Sequence, residues 1–159
     1  MGVAGAGKTT VGSRLAQSLG WEFFDADDFH SRENVAKIRR GEPLTEEDRD
    51  GWLTALAALV DRLVREQRDA VLACSALRAS HRERLRGAHV DAVRVVYLRG
   101  DPELLAARLR ARRGHFAGEN LLPSQLATLE EPHDAIVVDI DASPDTIVDE
   151  IRARLAAER

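Results

Sequence analysis

Residues 2 to 9 read Gly2-Val3-Ala4-Gly5-Ala6-Gly7-Lys8-Thr9, with the spacing G-x-x-x-x-G-K-T. Glycines at those places let successive backbone N–H groups curl around phosphate oxygens at the start of a helix. Lys8 then reaches the β- and γ-phosphates of ATP, Thr9 offers its hydroxyl to Mg²⁺, and Thr10 completes the nucleotide-binding run by supporting the turn. A flexible glycine-rich terminus would share the composition. It would not be followed by a Lys-Thr pair and an amphipathic helix, whose buried face is expected from Val11, Leu15, Ala16 and Leu19.

A second group of reactive side chains follows in Phe24-Asp25-Ala26-Asp27-Asp28-Phe29-His30. If a strand ends here, it delivers three carboxylates and an imidazole to the carboxyl edge of a parallel sheet, beside the phosphate loop. Asp25 and Asp27 are two apart, so both can face one side of an extended chain. Asp25 can help hold Mg²⁺ through its water shell, and Asp27 can accept the proton of an attacking hydroxyl. Asp28 is equally well read as a cap for a helix starting near Ser31.

These groups need a frame, and the rest of the chain describes one. Short apolar runs rich in β-branched residues alternate with longer stretches of helical spacing, the pattern of an α/β fold. Strands are expected at Trp21 to Asp25, Ala70 to Cys74, Val93 to Leu98 and Ala135 to Asp139. Glu46 to Arg65 carries Trp52, Leu56, Leu59, Val60 and Leu63 on one helical stripe. Asp101-Pro102 and Ser143-Pro144 pair a capping residue with a first-turn proline, so helices are predicted to begin there. Ile147, Ile151 and Leu155 give the last helix its buried face.

The 159 residues suit a single domain, 1–159, and their formal net charge of -4 disfavours a general nucleic-acid binder. Cys74 is the only cysteine, which excludes an intrachain disulfide and points to a reducing compartment. Buried at a strand end, its thiol reads as packing. No apolar run approaches the ~20 residues that span a bilayer, so a cytoplasmic protein without membrane contact is expected. His81, His89 and His133 show no metal-ligand spacing and are expected at surface or helix-end positions. A β-strand ordinarily leads into a phosphate loop of this kind, yet the first glycine here is residue 2. The expectation is that the true start lies upstream; otherwise the two neighbouring strands face each other across an unfilled gap.

Several blocks carry a resemblance more specific than the loop. Asp25-Ala-Asp27-Asp-Phe-His30, Asn34, Lys37, Gly41-Glu-Pro-Leu44, Asp48-Arg49 and Trp52-Leu53 resemble the gluconokinase family of P-loop carbohydrate kinases. So do Cys74-Ser75-Ala76-Leu77 with Arg82, Tyr97-Leu98-Arg99-Gly100, Arg108 through Phe116, Gln125, Leu129-Glu130 and Val138-Asp139-Ile140, so that the likeness covers essentially the whole chain. The resemblance implies a three-layer αβα P-loop kinase fold, with a five-stranded parallel sheet of order 2-3-1-4-5 whose first strand is absent here. It further implies ATP-dependent phosphorylation of the 6-hydroxyl of D-gluconate, and a homodimer. Arg78 stands where lysine is common in the family, and Ala4 and Ala6 replace frequent serines.

The resemblance assigns acceptor binding to Asp27, His30, Arg49, Ser75 and Arg82. Physically, a polyol with a carboxylate asks for hydroxyl partners and a cation at one end. Arg82 could form a bidentate fork with that carboxylate, although a solvated helix arginine is the ordinary use of such a residue. Arg108, Arg112, Arg113 and His115 make a basic cluster at a lid of about 112–129. Arg112 and Arg113 are the two expected to reach the transferring phosphoryl group, unless the cluster serves only its helix end. The rival readings are a shikimate-type kinase, which shares the loop and a D-x-D turn but lacks the His30 to Trp52 block, and a non-catalytic nucleotide-binding module.

Overall fold

In the computed structural model, residues 1–111 and 116–157 are described, with side chains for 1–111 and 121–157. The glycine loop feeds helix α1 (Lys8–Leu19), which stops at Gly20, a left-handed residue at φ 70° whose N–H returns to the last turn. Strand β1 (Glu22–Asp25) follows, then a 3-10 turn (Ala26–Phe29), α2 (Arg32–Arg39) and α3 (Glu46–Arg65). A reciprocal pair of bonds between Thr45 and Asp48 starts α3 as a capping box. Lys37 clamps the same Asp48 at 2.6 and 2.8 Å, holding its carboxyl down at about 2.

β2 (Ala70–Ala73), α4 (Ala79–Arg86), β3 (Val96–Arg99), α5 (Pro102–Ala111), α6 (Phe116–Thr128), β4 (Ile136–Asp139) and α7 (Pro144–Ala157) complete the order. The two Pro-initiated helices start where the sequence places them. Asp101 accepts the N–H of Glu103 at 2.8 Å, and Ser143 that of Thr146 at 3.2 Å. The four strands among the described residues are four residues long; β2 begins at Ala70 as expected, and the other three begin one to three residues later than their apolar runs suggest. The largest difference is at Val93, which belongs to the turn after α4, where its N–H binds the carbonyl of His89.

β1 pairs in parallel with β2, from Glu22 opposite Ala70 to Asp25 opposite Ala73, and β3 pairs in parallel with β4, from Val96 opposite Ile136 to Arg99 opposite Asp139. These are two separate two-stranded sheets, not one continuous sheet. Between β2 and β3 lies a slot of about 310 Å³, bordered by Val11, Leu15, Leu63, Val71, Val96 and Leu98. Ala70 to Leu72 are only half-buried for that reason, although their apolar run reads as a covered strand. Val60, expected on the buried stripe of α3, also lines the slot and is half-buried, while Leu53 is buried in its place.

Met1 and Gly2 join the half-sheets at one end of the slot. The carbonyl of Met1 accepts the N–H of Leu98 at 3.0 Å, and the N–H of Gly2 binds the carbonyl of Ser75 at 3.3 Å. The Met1 amino group donates to the carbonyl of Val96, and burial, reinforced by nearby Lys8, pushes it down to about 5.

Two apolar clusters hold the molecule. One gathers Val3, Ala6, Val11, Leu15, Leu98, Leu105, Val138, Ile140 and Ile151 beneath the phosphate loop. The other gathers Ala26, Trp52, Leu53, Leu56, Cys74, Ala76 and Leu85 beneath the acidic turn. Leu105 and Leu56 are wholly buried, one in each, and each such burial is worth about 1.5–3 kcal/mol. The phosphate loop and the acidic turn thus rest on different cores.

Candidate functional site

Both strand pairs end on the same side as the glycine loop. Gly5 and Gly7 adopt φ of 84° and 87°, which side chains resist. A Cβ on Gly5 would also lie 3.0 Å from the carbonyl of Leu105, so the loop approaches α5 too closely for a larger residue. α1 opens with no side-chain cap and no acidic residue in its first turn. Its amides and the positive end of its dipole are therefore left for an anion. Lys8 Nζ donates to the carbonyl of Val3 at 3.1 Å, folding the lysine back over the loop. Val3 and Ala6 are buried beneath it, and Thr10 lies exposed, its carbonyl held by Ser13.

Thr9 Oγ1 donates to Asp25 Oδ2 at 2.7 Å, and the other oxygen of Asp25 accepts the N–H of Asp27 at 3.1 Å. One carboxylate thereby connects the loop threonine to the acidic turn and caps that turn. Asp27 presents its carboxyl to solvent, yet partial burial among its neighbours, and then the Asp25 charge, raise it above the ordinary aspartate value of 3.8. Helix α2 is capped by Ser31, which accepts the N–H of Asn34 at 3.1 Å, so Asp28 does not serve as its cap.

His30 stacks on Trp52 with ring centroids 4.6 Å apart and planes 12° from parallel. Trp52 is fixed by its own Nε1–H, which donates to the carbonyl of Ala26 at 2.6 Å. His30 Nε2 stands 4.0 Å from Asp27, and its Nδ1 is buried without a partner. Burial lowers its pKa against the pull of Asp27, so the ring is neutral near pH 7.

The other residues expected on the acceptor side are less uniform. Arg49 bonds Glu46 at 2.9 Å at the start of α3. Ser75 follows β2, with its carbonyl on Gly2. Arg82 is buried at 8% exposure and spends Nη1 on the carbonyls of Ala76 and Leu77 at 3.0 and 3.1 Å; it is not a solvated helix-surface arginine. Arg108 donates to the carbonyl of Ile140 and braces the end of β4. Arg112, Arg113 and His115 lie outside the described residues, as does the first part of the expected lid; residues 116–128 form α6.

Other side chains outside the predicted site take the following places. His81 lies in the first turn of α4, one of the helix-end positions expected for it, and is buried there with Nε2 3.2 Å from Glu46 where α3 packs on α4. His89 binds Asp61 at 2.9 Å, and Cys74 is buried with its thiol pushed up to about 11 by desolvation, consistent with packing. Gln125 Oε1 accepts the N–H of Ala4 at 2.6 Å, a loop contact to which the sequence offers no local pointer. Among the described residues no group of three or more His, Cys, Asp or Glu side chains could hold a metal by itself. A cation at Thr9 and Asp25 would thus take its other ligands from phosphate and water, as Mg²⁺ does. No helix among the described residues is long and apolar enough to cross a membrane.

A family model for shikimate kinase matches residues 4–156. A gluconokinase of Gluconobacter oxydans is 44% identical over 161 aligned residues, covering 99% of this chain and 90% of that protein. Among solved structures, an unliganded sugar kinase from Janibacter superposes with a TM-score of 0.89 at 41% identity, covering 98% of this chain and 91% of the other. A gluconokinase from Sinorhizobium meliloti gives 0.87 at 39% identity, covering 99% and 89%.

Proposed function

The chain belongs to the gluconokinase family, within the P-loop proteins that the shikimate kinase model describes, and from that membership we infer that it phosphorylates D-gluconate at the 6-hydroxyl with ATP. The observation that carries the site assignment is the Thr9–Asp25–Asp27 connection, which links a phosphate loop to a carboxylate of raised pKa across one hydrogen-bonded turn.

In this reading the amides of residues 2–10 and Lys8 hold the triphosphate, and Thr9 with Asp25 holds Mg²⁺, which when bound neutralises phosphate charge. Asp27 takes the proton of the 6-hydroxyl as that oxygen attacks the γ-phosphorus, and ADP leaves with the electron pair of the broken P–O bond. The orphaned Nδ1 of His30 suits a ligand hydroxyl. Ser75 supplies another hydroxyl partner, and Arg49 with the remaining nitrogens of Arg82 faces the carboxylate. Arg112 and Arg113, on a lid of about 112–129, supply charge to the transferring phosphoryl group. A cytoplasmic location accords with the use of ATP and a single buried thiol.

ADP release measured with gluconate, shikimate and other polyols tests the assignment. Stimulation by gluconate is expected, and stimulation by shikimate alone would transfer the chain to the rival reading that the matched family model favours.

The sheet order 2-3-1-4-5 belongs to the same proposal, with the slot between β2 and β3 as the berth of the strand that leads into the loop. Its apolar lining and the pairing of Met1 and Gly2 with both edges support this. An extended segment of about five β-branched residues fused ahead of Met1 should raise the melting temperature by several degrees. An unchanged or lower value would remove the berth.

A further inference from the structure

The end of α6 touches both sides of the site. Gln125 Oε1 accepts the N–H of Ala4, within the phosphate loop, at 2.6 Å. Five residues on, the N–H of Glu130 donates to the carbonyl of Leu77 at 2.9 Å, and its Oε2 accepts the N–H of Ala79 at 2.6 Å. Between them the N–H of Leu129 closes on the carbonyl of Gln125 at 2.9 Å. Leu122 is buried, and Leu126 and Leu129 pack against the same cluster that lies beneath the phosphate loop. The short segment is therefore anchored before it reaches across.

The loop it grips on the acceptor side is under strain. Ala76 sits at φ 44°, left-handed backbone that a residue with a Cβ resists. Such a conformation persists only where its surroundings over-determine it. Glu130 takes hold on either side of Arg78, and Arg82 adds a second donor to the carbonyl of Leu77. Ser75, next to the strained residue, has its carbonyl on Gly2, so acceptor loop and phosphate loop also meet directly. Glu130 is exposed enough to need no partner, and a surface carboxylate with no positional duty would be solvated.

We propose that Gln125 and Glu130 are positioning residues, a two-handed strap in which Gln125 sets the phosphate loop and Glu130 sets the Ser75–Arg78 acceptor loop. A neutral amide suits the first hand, because a carboxylate at 125 would bring negative charge against the incoming phosphates. The second hand needs only an acceptor oxygen for the N–H of Ala79. The inference rests on the kinase reading for the identity of the two ligands, but the two grips are properties of the fold.

Steady-state constants for Gln125→Ala, Gln125→Glu, Glu130→Ala and Glu130→Gln in the full chain test it, together with amide hydrogen exchange at Ala4 and Ala79. Gln125→Ala should raise KM for ATP about tenfold and leave KM for gluconate near wild type, with Gln125→Glu worse. Glu130→Ala should do the reverse, and Glu130→Gln, which keeps the acceptor oxygen, should recover KM to within about twofold. Both constants moving together in each variant, neither moving, or Glu130→Gln failing to rescue would overturn the strap. Exchange at Ala79 should accelerate in Glu130→Ala only, and its failure to do so would also overturn it. That readout needs no turnover, so a wild-type chain unresponsive to gluconate would sink the proposed function and leave the strap decided by exchange.

Discussion

Asp27→Asn is expected to lower kcat by roughly 10²- to 10⁴-fold while ATP affinity changes by less than about threefold. The residue stands one hydrogen-bonded turn from the phosphate loop, reached through Asp25, and contacts no loop amide itself. Removing its charge leaves donor binding intact and takes away the proton acceptor. The pH profile sharpens the test. A base works only when ionised, and the Asp27 carboxyl is raised above 3.8 by partial burial and by Asp25. Activity should therefore fall as pH drops through that raised value, at a pH higher than an ordinary aspartate would give. The limb should vanish from what activity Asp27→Asn retains. Burial lowers the pKa of His30 toward the same acid side, so it is the disappearance of the limb in Asp27→Asn that assigns it to Asp27. Wild-type turnover in the variant would remove Asp27 as the base.

Lys8→Met should cost roughly 10²- to 10³-fold in kcat/KM for ATP, the scale on which a preorganised donor to developing charge is felt. Nζ is presented over the loop by its 3.1 Å bond to Val3, close to the amides at the uncapped start of α1. Methionine keeps the stem and deletes the charge, so packing around Val3 and Ala6 should survive and the melting temperature should move little. Lys8→Arg should not rescue, since a planar fork cannot replace a compact ammonium inside a tight loop. Calorimetry with a non-hydrolysable ATP analogue and steady-state kinetics would check both; a loss of less than tenfold in either substitution would exclude Lys8 from the phosphate site.

Much of the site is legible in sequence because its causes are local. The glycines at 5 and 7 are required by backbone angles that other residues resist. Asp101 and Ser143 cap the helices that Pro102 and Pro144 begin, within three residues of themselves. The acidic turn is likewise short-range, since Asp25 caps it at Asp27 two residues on; its bond to Thr9, 16 residues away, is a matter of tertiary packing. Even Trp52 is marked in the sequence by its place on a helical stripe, whereas its second use as a platform for His30 is not.

Other features depend on pairings that no periodicity encodes. His81 takes a helix-end position, as expected, yet is buried there because α3 and α4 pack face to face and bring Glu46 onto its ring. Of the two uses open to Arg82, the solvated cation fails, because the structure buries the side chain against two carbonyls of the loop before α4. Strand lengths were overestimated because an apolar run also continues where the chain is already turning, as at Val93.

By itself the sequence determined the phosphate loop, the acidic turn, the alternation of strands and helices, and the family that those blocks resemble. Each is an arrangement of neighbours along the chain, set by backbone geometry, capping and side-chain period. The gap between two strand pairs was one of two alternatives open in the sequence, and tertiary structure decided between them. It also decided that Gln125 holds Ala4 across 121 residues and that Glu130 holds Ala79 across 51. Such contacts follow from how anchored elements pack once the cores close, and a side chain's identity does not say which distant N–H will stand before it.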